Sequence, residues 1–421
     1  MSLCIGNFDK SILPNSIVEA VTVPQKMYGV KFDGVNSAGV RTYDAARFVW
    51  EPSTATKAGK DSFLGIPMFT PRECITEYDT VEGKQKVVAY KGDNGYDTLK
   101  ASKTGDVMME FTRFYYYRPS ETEWILSPEY IFGFKPAPAF YRDGKLLDKV
   151  YVGKYNLGIG YVSQSGVETL SNVDMNTIRT NLRSKGMYMW DLKWWETLKM
   201  LCLVKYANCD VQACNSAGYN SGNRTYPSGN ADNVRGLDGS NTSIATNEAC
   251  LTFGIENAYG NVWKFMDGSF CNDYYLYFKE VSEIANDPTS VAGLSVYDKM
   301  ANNIAVGGNN TELKTLTFNA DYDYITAPQT FGDGPYNDCC WGQGGLREIL
   351  VGGNAWHGGS SGLFTFNVNN AVGITDVNNG SGVKCRNYTI KQYPLKDHAE
   401  AKIHTISNEL VGSPKSRKYR L

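Results

Sequence analysis

The feature of this sequence that most restricts its fold is a stretch between Glu348 and Lys384 in which Asp376 is the only charged residue. The stretch also contains eight glycines and six asparagines. A segment with so little charge is too apolar to serve as a solvated linker, and its glycines predict tight turns with close backbone approach. We therefore predict that it folds inside a compact domain.

Residues 363–369 of this stretch alternate in side-chain character, as a β-strand with two unlike faces does. The aromatic and aliphatic face would pack against a core, and the other face would place hydroxyl and amide groups beside Trp356 and His357. Uncharged amides, hydroxyls and aromatic rings make adaptable contacts at a low cost in conformational entropy. The pattern predicts a ligand-binding surface. The alternative is a structural β-hairpin in which the asparagines only form turns.

Short strands are predicted in the first half of the chain, over residues 28–34, 107–117 and 150–155, where β-branched and aromatic residues are bounded by turn residues. Residues 79–103 are polar and contain glycine, which predicts a loop or a hairpin. The second half holds 26 asparagines, against eight in the first 200 residues, so we expect it to be rich in turns.

Two helices are predicted in the middle of the chain. The first would cover residues 171–182, with Ser171 or Asn172 as its cap, and the second would cover residues 189–207. Tryptophans and leucines recur at helical spacing along the second, which predicts that it packs against a sheet. Helices and strands together indicate the α+β class.

Composition excludes several classes of protein. The net charge is -2, so no bulk attraction to nucleic acid or to an anionic membrane is expected. No run approaches 18 apolar residues, so we expect the protein not to be membrane-embedded. The first residues lack a basic region followed by an apolar one, so no secretory signal is expected. Ten cysteines without a CxxC pair predict thiols in a protein made in a reducing cytoplasm.

Chemistry-bearing motifs are missing from the sequence. It has no HExxH helix, Walker A loop or dinucleotide fingerprint. Of the three histidines, His398 and His404 lie in a polar, charged segment without convergent ligands, and we expect them to be solvated. The prediction is a protein that is not an enzyme and that needs no metal and no cofactor.

Two motifs carry a resemblance to a known family. Residues 254–268 resemble the GNVWEW segment of the formylglycine-generating-enzyme type of C-type lectin fold, with Lys264 and Phe265 in place of glutamate and tryptophan. Residues 350–359 are similar to the RGGSW-type strand of the same superfamily. The residues that follow, 360–370, resemble the variable region of phage and prophage proteins of this fold, in some of which a diversity-generating retroelement mutates the region.

Other segments are similar to phage tail-fibre proteins, and they lie at 133–140, 142–144, 150–155 and 189–191. The resemblance extends from about residue 105 to 390, with a weaker similarity at 29–44. It implies a C-type lectin-like domain over residues 101–421. A β-rich N-terminal region, residues 1–100, would attach the chain to the virion or drive trimerisation.

The resemblance also implies a ligand-binding site in residues 354–379. The residues assigned to this site are Asn354, Trp356, His357, Ser360, Thr365, Asn367, Asn369, Asn370, Thr375, Asp376 and Asn378. Enzymes of this fold carry a copper-binding cysteine pair after the RGGSW strand, but residues 360–370 contain no cysteine. The resemblance therefore does not extend to oxidase activity.

These features predict a receptor-binding protein of a phage tail, located in the virion and made in the host bacterial cytoplasm. It would recognise a bacterial surface glycan or protein, contact other phage tail proteins and assemble as a homotrimer. The alternative is a structural tail or baseplate protein that uses the lectin-like domain for subunit contacts. Because the net charge is near zero, recognition would rest on hydrogen bonds and stacking.

Overall fold

The computed structural model describes residues 25–52, 59–215, 218–219, 225–232, 249–301, 303–304, 311–317 and 322–385. All of them belong to one compact unit. His398 and His404 lie outside the described residues. The α-helices of the described ranges are α1 (Tyr96–Ser102), α2 (Met175–Arg183), α3 (Leu192–Tyr206) and α4 (Val211–Cys214).

Strands make up most of the regular structure. The strands up to residue 200 are β1 (Tyr28–Lys31), β2 (Val40–Tyr43), β3 (Trp50–Glu51), β4 (Lys60–Asp61), β5 (Arg72–Asp79), β6 (Lys84–Tyr90), β7 (Asp106–Thr112), β8 (Tyr115–Ser120), β9 (Glu123–Ser127), β10 (Lys135–Pro136), β11 (Tyr141–Arg142), β12 (Lys145–Leu146), β13 (Lys149–Gly153) and β14 (Met187–Met189). Those that follow are β15 (Leu251–Thr252), β16 (Ile255–Glu256), β17 (Trp263–Asn272), β18 (Tyr275–Phe278), β19 (Asp298–Lys299), β20 (Thr311–Thr317), β21 (Ala327–Phe331), β22 (Cys339–Gly342), β23 (Leu346–Val351), β24 (Phe366–Val368), β25 (Asn379–Gly380) and β26 (Val383–Cys385).

Three sheets of five or more strands organise the described residues. A five-stranded sheet has the order β10-β8-β9-β1-β2, and a six-stranded sheet has the order β14-β26-β13-β7-β5-β6. A nine-stranded sheet runs β19-β18-β17-β23-β24-β22-β20-β21, with β25 also paired to β17. The described part of the chain is thus β-rich with few helices.

The predicted strands are present with shifted limits. The stretch over 107–117 forms two strands, β7 and β8, because the chain leaves one sheet after Thr112 and enters another at Tyr115. Residues 79–103 contain the end of a hairpin, β5–β6, and also helix α1. Strands that precede residue 100 pair with strands that follow it, since β5 pairs with β7 and β1 pairs with β9.

Both predicted helices form, and their N-termini are set by aspartates. The Asp174 carboxylate accepts a hydrogen bond from the backbone N–H of Thr177, so α2 begins later than a cap at Ser171 or Asn172 would allow. Asp191 caps α3 in the same way through the N–H of Trp194.

Helix α3 forms the centre of the core. All of its residues except Lys193 are buried, so the helix is covered on every side and does not bury only one apolar stripe. The rings of Trp190 and Trp194 are packed edge to face, and Trp194 also packs edge to face on Phe111 of β7. The prediction that the tryptophans are core residues is confirmed.

Candidate ligand-binding surface

The two family-like motifs lie side by side in the middle of the nine-stranded sheet. β17, from the first motif, pairs antiparallel with β23, from the second, so that Lys264 faces Val351. β24 pairs with the other edge of β23. The segment between these strands, residues 352–365, therefore leaves the sheet and returns to it at one end of the central strands.

Backbone hydrogen bonds fix the start of this segment to the first motif. The Gly260 N–H donates to the Gly352 carbonyl, and the Ala355 N–H donates to the Asn261 carbonyl. Gly353 has a φ of 71° and lies so close to Ser361 that an added Cβ would come within 2.5 Å of its Oγ. Glycine is thus required here both for its conformation and for its size.

His357 anchors the segment to the core. Its ring centroid lies 5.1 Å from that of Trp263 and 4.6 Å from that of Trp341. Nδ1 accepts a hydrogen bond from the Asn354 N–H, and burial lowers the pKa of the imidazole to about 4. His357 is therefore neutral at physiological pH and holds the loop in place by packing.

The Trp356 side chain is exposed, whereas the neighbouring His357 side chain packs against the core. The Trp356 backbone N–H donates to the Asn354 side-chain oxygen at 2.9 Å, which fixes the backbone on the inner side of the loop. Its side chain is 53% exposed. A large aromatic ring held in solvent by a fixed backbone is a typical anchor for a binding partner.

A buried polar cluster supports the far side of the segment. Asp338 Oδ1 lies within hydrogen-bond distance of the Thr365 hydroxyl and of Gln212 Nε2. The Phe364 N–H donates to the other carboxylate oxygen. Burial raises the pKa of Asp338 to about 7. The cluster therefore holds a carboxyl group that titrates near neutral pH directly beneath the loop.

A second turn, residues 369–378, completes the candidate surface. Arg347 donates to the Asn369 carbonyl, and the Gly373 N–H donates to Glu348 Oε1 at 2.8 Å. The Asp376 side chain accepts from the Asn378 N–H. Both ends of the turn are tied to β23 and β17 through the backbone, so the backbone of the turn is held in place.

The structure separates the eleven predicted site residues by exposure. The exposed ones are Trp356 and Thr375, the half-buried ones are His357, Ser360, Asn369, Asn370, Asp376 and Asn378, and the buried ones are Asn354, Thr365 and Asn367.

The three buried residues cannot contact a ligand in this conformation. The expectation that residues 363–369 present one polar face to solvent is wrong, because β24 lies between β22 and β23 with both of its faces covered. Thr365 instead contacts Asp338, and Asn354 shapes the loop. The two turns that carry the remaining eight residues form the candidate surface, which we call the 354–378 surface.

Lys264, where the sequence departs from the family pattern, lies beneath this surface. It is fully buried, and its Nζ donates to the Gly260 carbonyl. Burial lowers the pKa of Lys264 well below its ordinary value. The same glycine donates to Gly352, so the substituted position supports the loop directly.

Sequence reasoning missed the two buried carboxyls that hold the surface, Asp338 and Glu348. Burial raises the pKa of Glu348 to about 8. Each is an isolated acidic residue before or within an apolar strand, β22 or β23, and that position is the signal that could have found them.

Metal ligands are not grouped in the described ranges: no cluster of three or more histidine, cysteine, aspartate or glutamate side chains is placed to hold an ion. Cys339 and Cys340 are buried, and burial raises both pKa values. Within the same ranges no cysteine forms a disulfide, and no helix is long and apolar enough to cross a membrane.

No family model matches the sequence, and no curated protein matches it. The chain is similar to a solved structure named "Major Tropism Determinant U1 Variant", with 13% sequence identity and a TM-score of 0.29. The similarity covers 79% of this chain and 74% of that chain. Values this low do not establish a shared fold, so they leave the function open.

Proposed function

We propose that this chain is a receptor-binding protein of a phage tail with a C-type lectin-like fold of the formylglycine-generating-enzyme type. It binds a bacterial surface glycan or protein through the 354–378 surface and makes or breaks no covalent bond. The observation that carries the proposal is Trp356, an exposed indole on a loop whose backbone is tied to two adjacent central strands.

The arrangement of the motifs supports this assignment. The segment that resembles the GNVW motif contains the start of β17, and the segment that resembles the RGGSW motif contains the end of β23, its neighbour. The residues that resemble a variable region include β24, which pairs with the other edge of β23. A receptor surface needs such a rigid base, because a preordered loop loses little conformational entropy on binding. Half-buried amides such as Asn369 and Asn378 then supply directional hydrogen bonds around the aromatic anchor.

Assembly and location belong to the same proposal. The chain acts as a homotrimer in the virion, with other phage tail proteins as neighbours, and residues 1–100 contribute the attachment. Single receptor contacts of this size are weak, and several copies on one particle raise the overall affinity through multivalency.

Binding of fluorescently labelled protein to a panel of bacterial strains, measured by flow cytometry, tests the proposal. The parent protein should label at least one strain, and Trp356→Ala should reduce the labelling by about tenfold, as expected for the loss of one aromatic anchor. Phe132→Ala, at a 68% exposed aromatic outside the surface, is the matched control and should label like the parent. Equal labelling by both variants would exclude the 354–378 surface as the receptor site.

The alternative, a structural tail protein that uses this surface for subunit contacts, makes a different prediction. Trp356 would then be covered in the assembled particle. Oxidation of exposed indoles in intact particles, followed by mass spectrometry, separates the two: modification of Trp356 supports receptor binding, and its protection supports a subunit interface.

A further inference from the structure

A second cleft lies outside the 354–378 surface and shares no residue with it. Its volume is about 490 Å³, within the range of roughly 300–1,000 Å³ that small-molecule sites occupy. It is lined by β8 and β10 of the five-stranded sheet, the start of α3, and β17 to β19 of the nine-stranded sheet. We propose that this cleft binds a neutral saccharide of one or two sugar rings.

Aromatic side chains form one part of the lining, and five of them face the cleft. The ring centroids of Phe278 and Tyr322 are 5.6 Å apart, and Tyr322 lies 6.4 Å from Tyr324. Tyr141 is 49% exposed at the margin. The apolar C–H face of a sugar ring packs on such rings, and the sugar hydroxyls then meet the polar groups beside them.

Charged side chains form the other part, and they are nearly balanced, with four cationic and five acidic residues. Lys135 Nζ lies 2.8 Å from Asp323 Oδ2, and the Tyr116 hydroxyl donates to Asp323 Oδ1 at 2.6 Å. Lys193 Nζ lies 2.6 Å from Glu280 Oε2. Two lysines of the wall are thus joined to acidic residues in ion pairs, and Arg142 is joined in the same way to Asp191 and Glu280.

Paired charges select the chemical class of the ligand. A phosphate or a carboxylate would have to compete with Asp323 for Lys135 or with Glu280 for Lys193, and a cation would have to compete with these lysines for the same two acids. Sugar hydroxyls both donate and accept, so they can bridge to an ammonium and a carboxylate without displacing either. The cleft therefore favours a neutral polyol over a charged ligand.

Saturation-transfer NMR on the full-length protein tests the proposal with five neutral sugars: glucose, galactose, mannose, N-acetylglucosamine and rhamnose. Glucose 6-phosphate is the charged probe. We expect transfer to at least one neutral sugar, and Tyr141→Ala should weaken its binding by about tenfold. Tyr141→Phe, which keeps the ring, should bind within about twofold of the parent, because stacking does not need the hydroxyl.

Tyr78→Ala is the matched control, because Tyr78 is a similarly exposed tyrosine that does not line the cleft. Its binding should equal that of the parent. The proposal is overturned if no neutral sugar shows transfer, if Tyr141→Ala and Tyr78→Ala bind alike, or if glucose 6-phosphate binds more tightly than glucose. Sugar binding that survives Trp356→Ala while labelling of bacteria is lost would show that the cleft and the 354–378 surface act independently.

Discussion

The Thr365 hydroxyl lies 2.6 Å from Asp338 Oδ1, in the interior beneath the exposed loop. The same hydroxyl lies within hydrogen-bond distance of the Ser360 carbonyl oxygen, yet it carries one proton. A protonated Asp338 resolves this conflict, since its own O–H donates to Thr365 and releases the threonine proton for Ser360. The raised pKa of Asp338, about 7, makes this form accessible near neutral pH.

Replacing Asp338 with asparagine should make stability less sensitive to pH. The folded pKa of about 7 lies above the ordinary value of 3.8 that applies to the unfolded chain, so the folded state keeps a proton that the unfolded state has released. The stability that this group contributes is full below pH 4 and is lost as the pH rises to about 7. The free energy of unfolding of Asp338→Asn, measured with urea, should therefore rise relative to that of the parent protein between pH 5 and pH 8.

An exposed aspartate provides the control for this experiment. Hydrogen bonds from Asn36 and Val35 lower the pKa of Asp33, so both states of the chain have lost its proton above pH 5. The free energy of unfolding of Asp33→Asn should therefore differ from that of the parent protein by a constant amount over that range. A constant difference for Asp338→Asn as well would contradict the titration assigned to it.

Substitution by alanine should destabilise the fold at Gly362 but not at Gly359, three residues earlier. A Cβ at Gly362 would lie 2.0 Å from Gln212 Nε2 and 2.1 Å from Asp338 Oδ1, so Gly362→Ala should destabilise the fold by about 3 kcal/mol. A Cβ at Gly359 meets nothing within 4 Å, and Gly359→Ala should be neutral or stabilise by about 0.5 kcal/mol. Chemical denaturation of both variants checks this, and similar losses in the two would be inconsistent with the packing described.

The two aspartates that cap helices should differ in their effect. Asp191 caps α3, accepts hydrogen bonds from the two terminal guanidinium nitrogens of Arg142, and contacts Lys384. These two cations hold the pKa of Asp191 well below its ordinary value. Asp174 caps α2 but forms no ion pair with Arg142 or Lys384. Asp191→Ala leaves buried cations short of a partner and should cost about 3–5 kcal/mol. Asp174→Ala should cost about 1 kcal/mol. Equal unfolding midpoints would refute the distinction.

Adjacent residues in the exposed loop should separate stability from binding. His357 packs on two tryptophans, so His357→Ala should lower the free energy of unfolding by about 2 kcal/mol at pH 7. Trp356→Ala should change it by less than about 0.5 kcal/mol, because the indole is exposed. Thermal and urea unfolding measure both effects. A large loss of stability in Trp356→Ala would mean that the indole supports the fold and is not held for a partner.

The central helix and the motif strands could be predicted from sequence because their signals are local. Tryptophans at helical spacing indicated a buried face in α3, although its first residue depended on the cap at Asp191. The burial of Thr365 could not be predicted, because a two-residue period cannot tell that β24 is a central strand, paired with β22 and β23 on its two edges and buried on both faces. The second cleft gave no signal either, since Tyr116 and Asp323 meet only through the tertiary fold.

The position of β26 in the six-stranded sheet sets the order in which the molecule can be completed. β26 lies between β13 and β14, and its Lys384 contacts the cap of α3. Both flanking strands are synthesised long before it, and at roughly 5–20 residues per second the wait is on the order of ten to forty seconds. During that interval each has an unpaired edge on which another nascent chain could add a strand. The sheet therefore closes only after residue 385 has left the ribosome, so a ribosome that stalls earlier leaves an aggregation-prone chain.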